Sequence, residues 1–352
     1  MRAVTVVPLQ QGSVDLTELP EPPEADGPVL VRTRAVGVCG TDLEIIGGEY
    51  GWAPPGEDRL AIGHESLGEV MEAPDGSGFA PGDLVVAIVR RPDPAPCANC
   101  AVGEWDMCRN GQYTEWGIKE HHGYARERYR ITPDFLVKVD PGLGNLGVLL
   151  EPTTVVAKAW DHIERIGGRA VWQPKTVLVT GAGPIGLLAA LLGVQRGMDV
   201  HVLDQVTDGL KPELVAALGA TYHHGAVADI GVEPDVAIEC TGVAPLIFDV
   251  MDHAGANGIV CLTGVSSGGR DLSVDVGLLN RRLVLENDVV FGSVNANRRH
   301  YEAGAKALAK ADKQWLGRLI TRSVPLDDWK NAYTRQPTDV KVVLSFDSDT
   351  AA

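Results

Sequence analysis

Hydrophobic and polar residues alternate in short runs over the first 150 positions. Val29-Leu30-Val31-Arg32-Thr33-Arg34-Ala35-Val36 and Leu84-Val85-Val86-Ala87-Ile88-Val89 are the clearest, and Gly, Pro and Asp separate such runs. The N-terminal stretch Met1-Arg2-Ala3-Val4-Thr5-Val6-Val7 reads as a further strand, and Gly37, Gly40, Gly63, Gly68 and Gly82 punctuate the region. This pattern predicts an antiparallel, barrel-like or sandwich-like unit. The rhythm changes after Glu151-Pro152. Residues 153 to 166 carry helical spacing, with Val156, Ala159, Trp160 and Ile163 along one side. From Thr176 a strand, a glycine turn and a helix recur: strands are predicted over 176–180, 200–203, 236–239, 259–263 and 289–294, and helices over 186–196, 211–218 and 246–253. Such alternation predicts a parallel sheet with helices on both faces. A helix from 298 to 311 and a strand from 341 to 346 close the chain, and this tail is expected to fold back onto the β-rich part.

A chain of 352 residues exceeds one ordinary core. Two domains are expected: 1–155 completed by 298–352, and 156–297. Hydrophobic residues at 45% and charged residues at 22% fit a globular, water-exposed protein. The net charge of −16 argues against nucleic acid, whose phosphates reward basic surfaces. The most apolar run, 176 to 194, is nearly long enough to span a bilayer, but its glycines and Pro184 suit a strand, a turn and a helix better. No secretory signal pattern is visible at the N-terminus, so the expectation is a cytoplasmic protein with no membrane partner. Three of six cysteines cluster as Cys97-x2-Cys100-x7-Cys108, which in an intracellular protein suggests metal rather than disulfides.

Gly181-Ala182-Gly183-Pro184-Ile185-Gly186 follows the predicted strand 176–180 and opens a predicted helix. In that context the glycines have physical tasks: a tight turn at Gly181, close backbone approach to a pyrophosphate at Gly183, and close helix–strand packing at Gly186. The helix N-terminus adds amide donors and a favourable dipole for phosphate. The second strand ends at Asp204, where a carboxylate can accept from both hydroxyls of an adenosine ribose. Gln205, Val206 and Thr207 follow with no arginine, so NAD is expected to be preferred over NADP.

Gly37-Val38-Cys39-Gly40-Thr41-Asp42 and Gly63-His64-Glu65 each place a zinc-capable side chain in a glycine-flanked loop. With the cysteine cluster and the dinucleotide motif, these segments resemble the zinc-containing medium-chain dehydrogenase/reductase (alcohol dehydrogenase) family. Val89-Arg90-Arg91-Pro92, Glu115-x-Gly117-Ile118, Leu150-Glu151-Pro152 and Gly292-Ser293-Val294-Asn295 are most similar to its glucose 1-dehydrogenase branch. The resemblance implies an α/β protein with a GroES-like β-rich catalytic domain and a Rossmann doubly wound parallel-sheet cofactor domain. It implies that Cys39 and His64 bind a catalytic zinc, with Glu65 and Glu151 supplying carboxylate ligation, directly or through water. Thr41 would pass the substrate proton outward and Glu44 would continue the relay. Glu115, Asn295 and His300 match sugar-contacting positions, and Thr241 and Asn295 are further expected at the cofactor. In the structural-zinc lobe of the family four cysteines bind metal; here the first position is Pro94, and Asp93 is expected to join Cys97, Cys100 and Cys108.

The resulting expectation is oxidation of a glucose-like aldose at C1 to the lactone, with hydride passing to NAD. A secondary alcohol or polyol (sorbitol-type) dehydrogenase with the same zinc chemistry is the first alternative, and a catalytically silent dinucleotide-binding protein is the second. The apolar late strand 289–294, at the end of a parallel sheet, leads to the expectation of a homo-oligomer, dimer or tetramer.

Overall fold

The computed structural model describes residues 1–266, 268 and 271–347. The chain forms two compact units, Met1–Glu151 with the segment from Asn295 onward, and Pro152–Val294.

The first unit is built on a seven-stranded sheet whose central member is Val29–Val38. Its alternate side chains are buried, as the period-2 pattern requires. It pairs antiparallel with Glu65–Glu72, with Arg128–Ile131 and with the C-terminal strand Lys341–Ser345. The C-terminal strand thus lies in the same compact unit as the β-rich part. A polar strand, Ile320–Pro325, runs parallel to Lys341–Ser345, and a short helix, Lys313–Leu319, precedes it. The sequence pattern did not reveal this strand, because most of its side chains are not buried and so carry no apolar alternation. Buried side chains including Val4, Ile45, Leu60, Ile62, Trp329 and Leu344 form one core cluster. Val31, Val85, Trp116, Tyr124 and Tyr129 belong to another.

The second unit is a six-stranded parallel sheet: β1 (Thr176–Thr180), β2 (Asp199–Leu203), β3 (Thr221–His223), β4 (Val236–Glu239), β5 (Ile259–Leu262) and β6 (Val289–Gly292). The spatial order is β3-β2-β1-β4-β5-β6. Strand order reverses between β1 and β4, the switch point at which doubly wound sheets bind ligands. Helices follow β1 at Pro184–Gln195, β2 at Leu210–Ala217 and β4 at Ala244–Asp252, each within two residues of the sequence expectation. Two elements were not anticipated. β3 has only three residues, too few to show a period. The helix Val276–Glu286 has no buried residue and so lacks the one-sided apolar stripe that marks a helix in sequence; Asp275 caps it by accepting from Leu278 N. Among the described residues no helix is long and apolar enough to cross a membrane.

Candidate active site

The metal-capable loops of the first unit converge. Cys39 is the N-cap of the helix Gly40–Gly47, and Glu65 opens the strand Glu65–Glu72, one residue after His64. Ligand atoms of Cys39, His64 and Glu65 all lie within 4.8 Å of one another. A buried carboxylate that sequence reasoning passed over, Asp42, organises the group. Its Oδ2 accepts from Cys39 N at 2.8 Å, its Oδ1 accepts from Gly63 N at 3.2 Å, and His64 Nδ1 lies 3.5 Å from Oδ1. A carboxylate behind a histidine fixes ring orientation and raises ligand basicity.

Glu65 is 2% exposed, and both its oxygens accept from Lys341 Nζ, at 2.7 and 2.6 Å. Lys341 also donates to Val38 O at 3.0 Å. The carboxylate fits because Gly37 sits opposite in the register; a Cβ there would lie 2.0 Å from Glu65 Oε2. Glu151, the second residue of the helix Leu150–Gly167, is buried beside this group. Its oxygens are not within the tight cluster formed by Cys39, His64 and Glu65. Burial pushes the Glu151 carboxyl up to about 7, with the Glu65 charge adding to the rise while His64 and Lys341 oppose it. Thr41 is half-buried on the same short helix, and Glu44, one turn later, is exposed. A thiolate, an imidazole and a carboxylate at these separations fit a zinc ion.

Glu115 lies in the strand Thr114–Trp116 and is 5% exposed. It accepts from Arg90 Nε at 3.0 Å and from Asn295 Nδ2 at 2.7 Å, so two of the three sugar-site candidates meet. Asn295 adopts φ of +61°, and its Oδ1 accepts from Ala296 N. The helix Arg298–Lys310 is capped by Asn297. His300 is 1% exposed rather than on the surface, and its Nδ1 accepts from Asn297 N at 3.1 Å.

In the cysteine lobe the sulfurs of Cys97, Cys100 and Cys108 gather within 4.8 Å. The Asp93 carboxylate is not among those atoms. Its Oδ1 is held by Ala95 N at 2.8 Å, while its buried Oδ2 has no hydrogen-bond partner among the described residues. Backbone donors from Arg109 and Cys100 lower the Cys97 thiol to about 6, whereas burial and the neighbouring sulfurs raise Cys100 to about 11.

In the second unit the glycine motif adopts the geometry its residues suggest. Gly181 has φ of +87°, Gly183 is the N-cap of the helix, and Pro184 occupies its first turn next to Ile185. A Cβ at Gly186 would lie 1.7 Å from Gly181 O. Asp204 Oδ2 accepts from Ala182 N at 2.6 Å and Oδ1 from Val206 N at 3.0 Å. Lys211 Nζ reaches the same carboxylate at 3.1 Å. That lysine was missed in sequence because its signal, a cation seven residues further on at the start of the next helix, has no fixed motif. Thr241 follows β4, and its N–H donates to the buried Glu239 at 2.7 Å, as does its hydroxyl.

Residues 25–141 match the family described as alcohol dehydrogenase GroES-like domain, and residues 144–346 match the one described as glucose dehydrogenase C-terminus. The chain is 39% identical to a glucose 1-dehydrogenase of Methanocella arvoryzae, over 98% of this chain and 99% of that one. The chain belongs to the glucose 1-dehydrogenase branch of the zinc-dependent medium-chain dehydrogenase family. Another member, the glucose 1-dehydrogenase of Thermoproteus tenax, is 41% identical over 98% of this chain and 99% of its own. The solved glucose dehydrogenase of Haloferax mediterranei, in complex with NADP, zinc and gluconolactone, superposes with a TM-score of 0.91 at 32% identity, covering 99% of this chain and 100% of that one. As a medium-chain dehydrogenase of this branch, the protein is an NAD(P)-dependent enzyme acting on CH–OH donors.

Proposed function

We propose that the protein oxidises a glucose-type aldose at C1 to the lactone. The convergence of Cys39, His64 and Glu65 in one unit whose wall also carries the buried Glu115–Asn295 pair supports this reading most. The bound zinc and gluconolactone of the Haloferax relative support it independently. Cys39, His64 and one carboxylate of the Glu65 and Glu151 pair hold the zinc, which when bound supplies Lewis acidity at a substrate oxygen. Asp42 orients His64, and Lys341 balances Glu65. Thr41 accepts the proton of the C1 hydroxyl and passes it toward the exposed Glu44. The C1 hydrogen leaves as hydride to the nicotinamide, so that C1–O becomes a carbonyl and the electron pair ends on the cofactor. Glu115, held by Arg90 and Asn295, accepts from sugar hydroxyls, and His300 completes the polar wall. Cys97, Cys100 and Cys108 hold a second, structural zinc, with Asp93 assigned to its fourth position.

Gly181, Gly183 and Gly186 cradle the pyrophosphate and Asp204 meets the adenosine ribose, while Thr241 serves the same crevice. The expectation of NAD in preference to NADP rested on the Asp204 carboxylate, which repels a 2′-phosphate, and on the absence of an arginine over 205–207. Lys211 supplies a cation beside that carboxylate, and the Haloferax relative carries NADP. We therefore assign both nucleotides as cofactors. A reducing cytoplasm suits the thiol cluster, and the apolar β6 at the sheet end suits a homo-oligomer, which sedimentation at micromolar concentration checks.

The deciding assay follows NAD(P)H absorbance with aldoses, polyols and simple alcohols, with and without chelator. Chelator-sensitive turnover of an aldose is expected. Turnover of polyols alone would discard the sugar-lactone reading. Cys39→Ser should lose both the catalytic zinc and activity; retention of both would discard the zinc assignment.

A further inference from the structure

A cavity of about 340 Å³ in the first unit is lined by residues 19–23, Asp26, Pro54, Glu57, Trp116, His121, His122 and Arg126. None of the metal-capable or sugar-site side chains lines it. Its distinguishing feature is Arg126. The residue is 3% exposed, its Nε is buried without a hydrogen-bond partner, and its guanidinium makes no ion pair among the described residues. Its guanidinium lies 5.5 Å from the centroid of the Trp116 ring. Burial lowers the pKa of this guanidinium, with the Asp26 charge opposing from a distance. A buried cation without a bonded anion is costly, and natural interiors pair such groups.

The rest of the wall narrows what the partner can be. Asp26 is half-buried and raised in pKa by burial, and among the described residues none donates a hydrogen bond to its carboxylate. Glu57 accepts from His122 Nε2 at 2.8 Å, the Nδ1 of the same ring accepting from Ala61 N at 3.0 Å. Three carboxylates line the wall, and Glu21 is already paired with Arg128, so Arg126 stands between Asp26 and Glu57; those two charges penalise a dianion such as phosphate more than a monoanion. The carboxylates also call for hydrogen-bond donors on the ligand. Trp116, stacked on His121 at 5.2 Å, together with Pro22, Pro23 and Pro54, provides the flat apolar sides.

We propose that this cavity binds a small hydroxycarboxylate monoanion, whose carboxylate pairs with the Arg126 guanidinium and whose hydroxyls donate to Asp26 and Glu57. Paired N–H groups of a guanidinium match a carboxylate in a bidentate, charge-assisted contact. The site stands on Arg126 and its cavity, and does not depend on which substrate the enzyme oxidises.

The test is calorimetric titration of the full-length protein with D-gluconate, D-glucitol and inorganic phosphate. Wild type should bind gluconate saturably, and glucitol and phosphate at least about tenfold more weakly. Arg126→Gln should weaken gluconate by a similar factor. Pro23→Trp, on the exposed rim, narrows the cavity without touching the buried arginine; it should weaken gluconate equally while leaving aldose turnover as in wild type. If Arg126→Gln fails to fold, Pro23→Trp carries the test alone. Absence of saturable gluconate binding, equal binding of glucitol, or unaltered gluconate binding in Pro23→Trp would each overturn the proposal.

Discussion

Lys341 Nζ donates to both oxygens of Glu65, at 2.7 and 2.6 Å, and the two residues stand 276 positions apart in the chain. Both are almost wholly buried. The last strand of the protein therefore supplies the counter-charge for a candidate zinc site built from the first third of the chain. Breaking a buried pair by deleting one partner leaves a desolvated charge and costs about 3–5 kcal/mol. Lys341→Met is expected to lower unfolding stability by that order in a denaturant melt, and the double variant with Glu65→Gln to recover part of it. A wild-type melt for Lys341→Met would show that the pair carries no such energy.

Gly186 faces the carbonyl of Gly181 so closely that a Cβ would lie 1.7 Å from the oxygen. Gly186→Ala must push the helix N-terminus away from β1 and spoil the pyrophosphate cradle. The Kd for NADH, read by fluorescence quenching, should rise by at least about tenfold. Unchanged affinity would mean that the phosphates lie elsewhere.

Lys211 lies 3.1 Å from Asp204. Lys211→Ala removes the cation that offsets this carboxylate, so a 2′-phosphate meets an unopposed negative charge. KM for NADP should rise about tenfold while KM for NAD changes much less, tenfold being about 1.4 kcal/mol. A parallel rise for both nucleotides would limit Lys211 to a structural role.

Asn295 donates to Glu115 at 2.7 Å. Asn295→Ala frees that carboxylate from one of its restraints, and the expected result is a higher KM for aldose with little loss of stability. Steady-state kinetics across several sugars reads this out; a variant whose KM values match wild type would remove Asn295 from the sugar wall.

Arg322 holds Asp339 through two 2.7 Å bonds, Nε to Oδ1 and a terminal nitrogen to Oδ2. This pairing sets the Asp339 carboxyl below its ordinary range despite its burial. A depressed native pKa favours the deprotonated folded state. Its contribution is present above the unfolded value near about 3.9 and fades as pH falls through the lower native value. Asp339→Asn should therefore cost about 1–3 kcal/mol at pH 7, and this gap should narrow progressively as melts are repeated at pH values stepped down below about 3.9. A gap that persists unchanged in acid would assign the loss to packing instead.

The sequence was most legible where a residue type answers to its immediate neighbours. The glycines of the dinucleotide turn, the apolar runs of β1, β2, β4, β5 and β6, and the loops around Cys39 and His64 could all be read from a few adjacent positions. β3 and the helix Val276–Glu286 were not legible, since the first is too short for a period and the second buries no side chain. Among the chemical groups, Asp42 stood in plain view beside Cys39, yet only its two hydrogen bonds to Cys39 N and Gly63 N reveal its function.

What the sequence determined by itself was the set of local conformations and the kinds of chemistry available: where glycine is required, which face is apolar, which side chains can bind metal or nucleotide. Tertiary structure alone decided the pairings. It joined Lys341 to Glu65, Asn295 to Glu115 and Lys211 to Asp204, it left the Asp93 carboxylate outside the sulfur cluster, and it placed Arg126 in a cavity wall with no ion-pair partner among the described residues. The reason is physical. Backbone conformation and periodic burial depend on neighbours a few positions away, whereas a charge finds its partner only when strand register and packing bring distant segments within hydrogen-bonding reach.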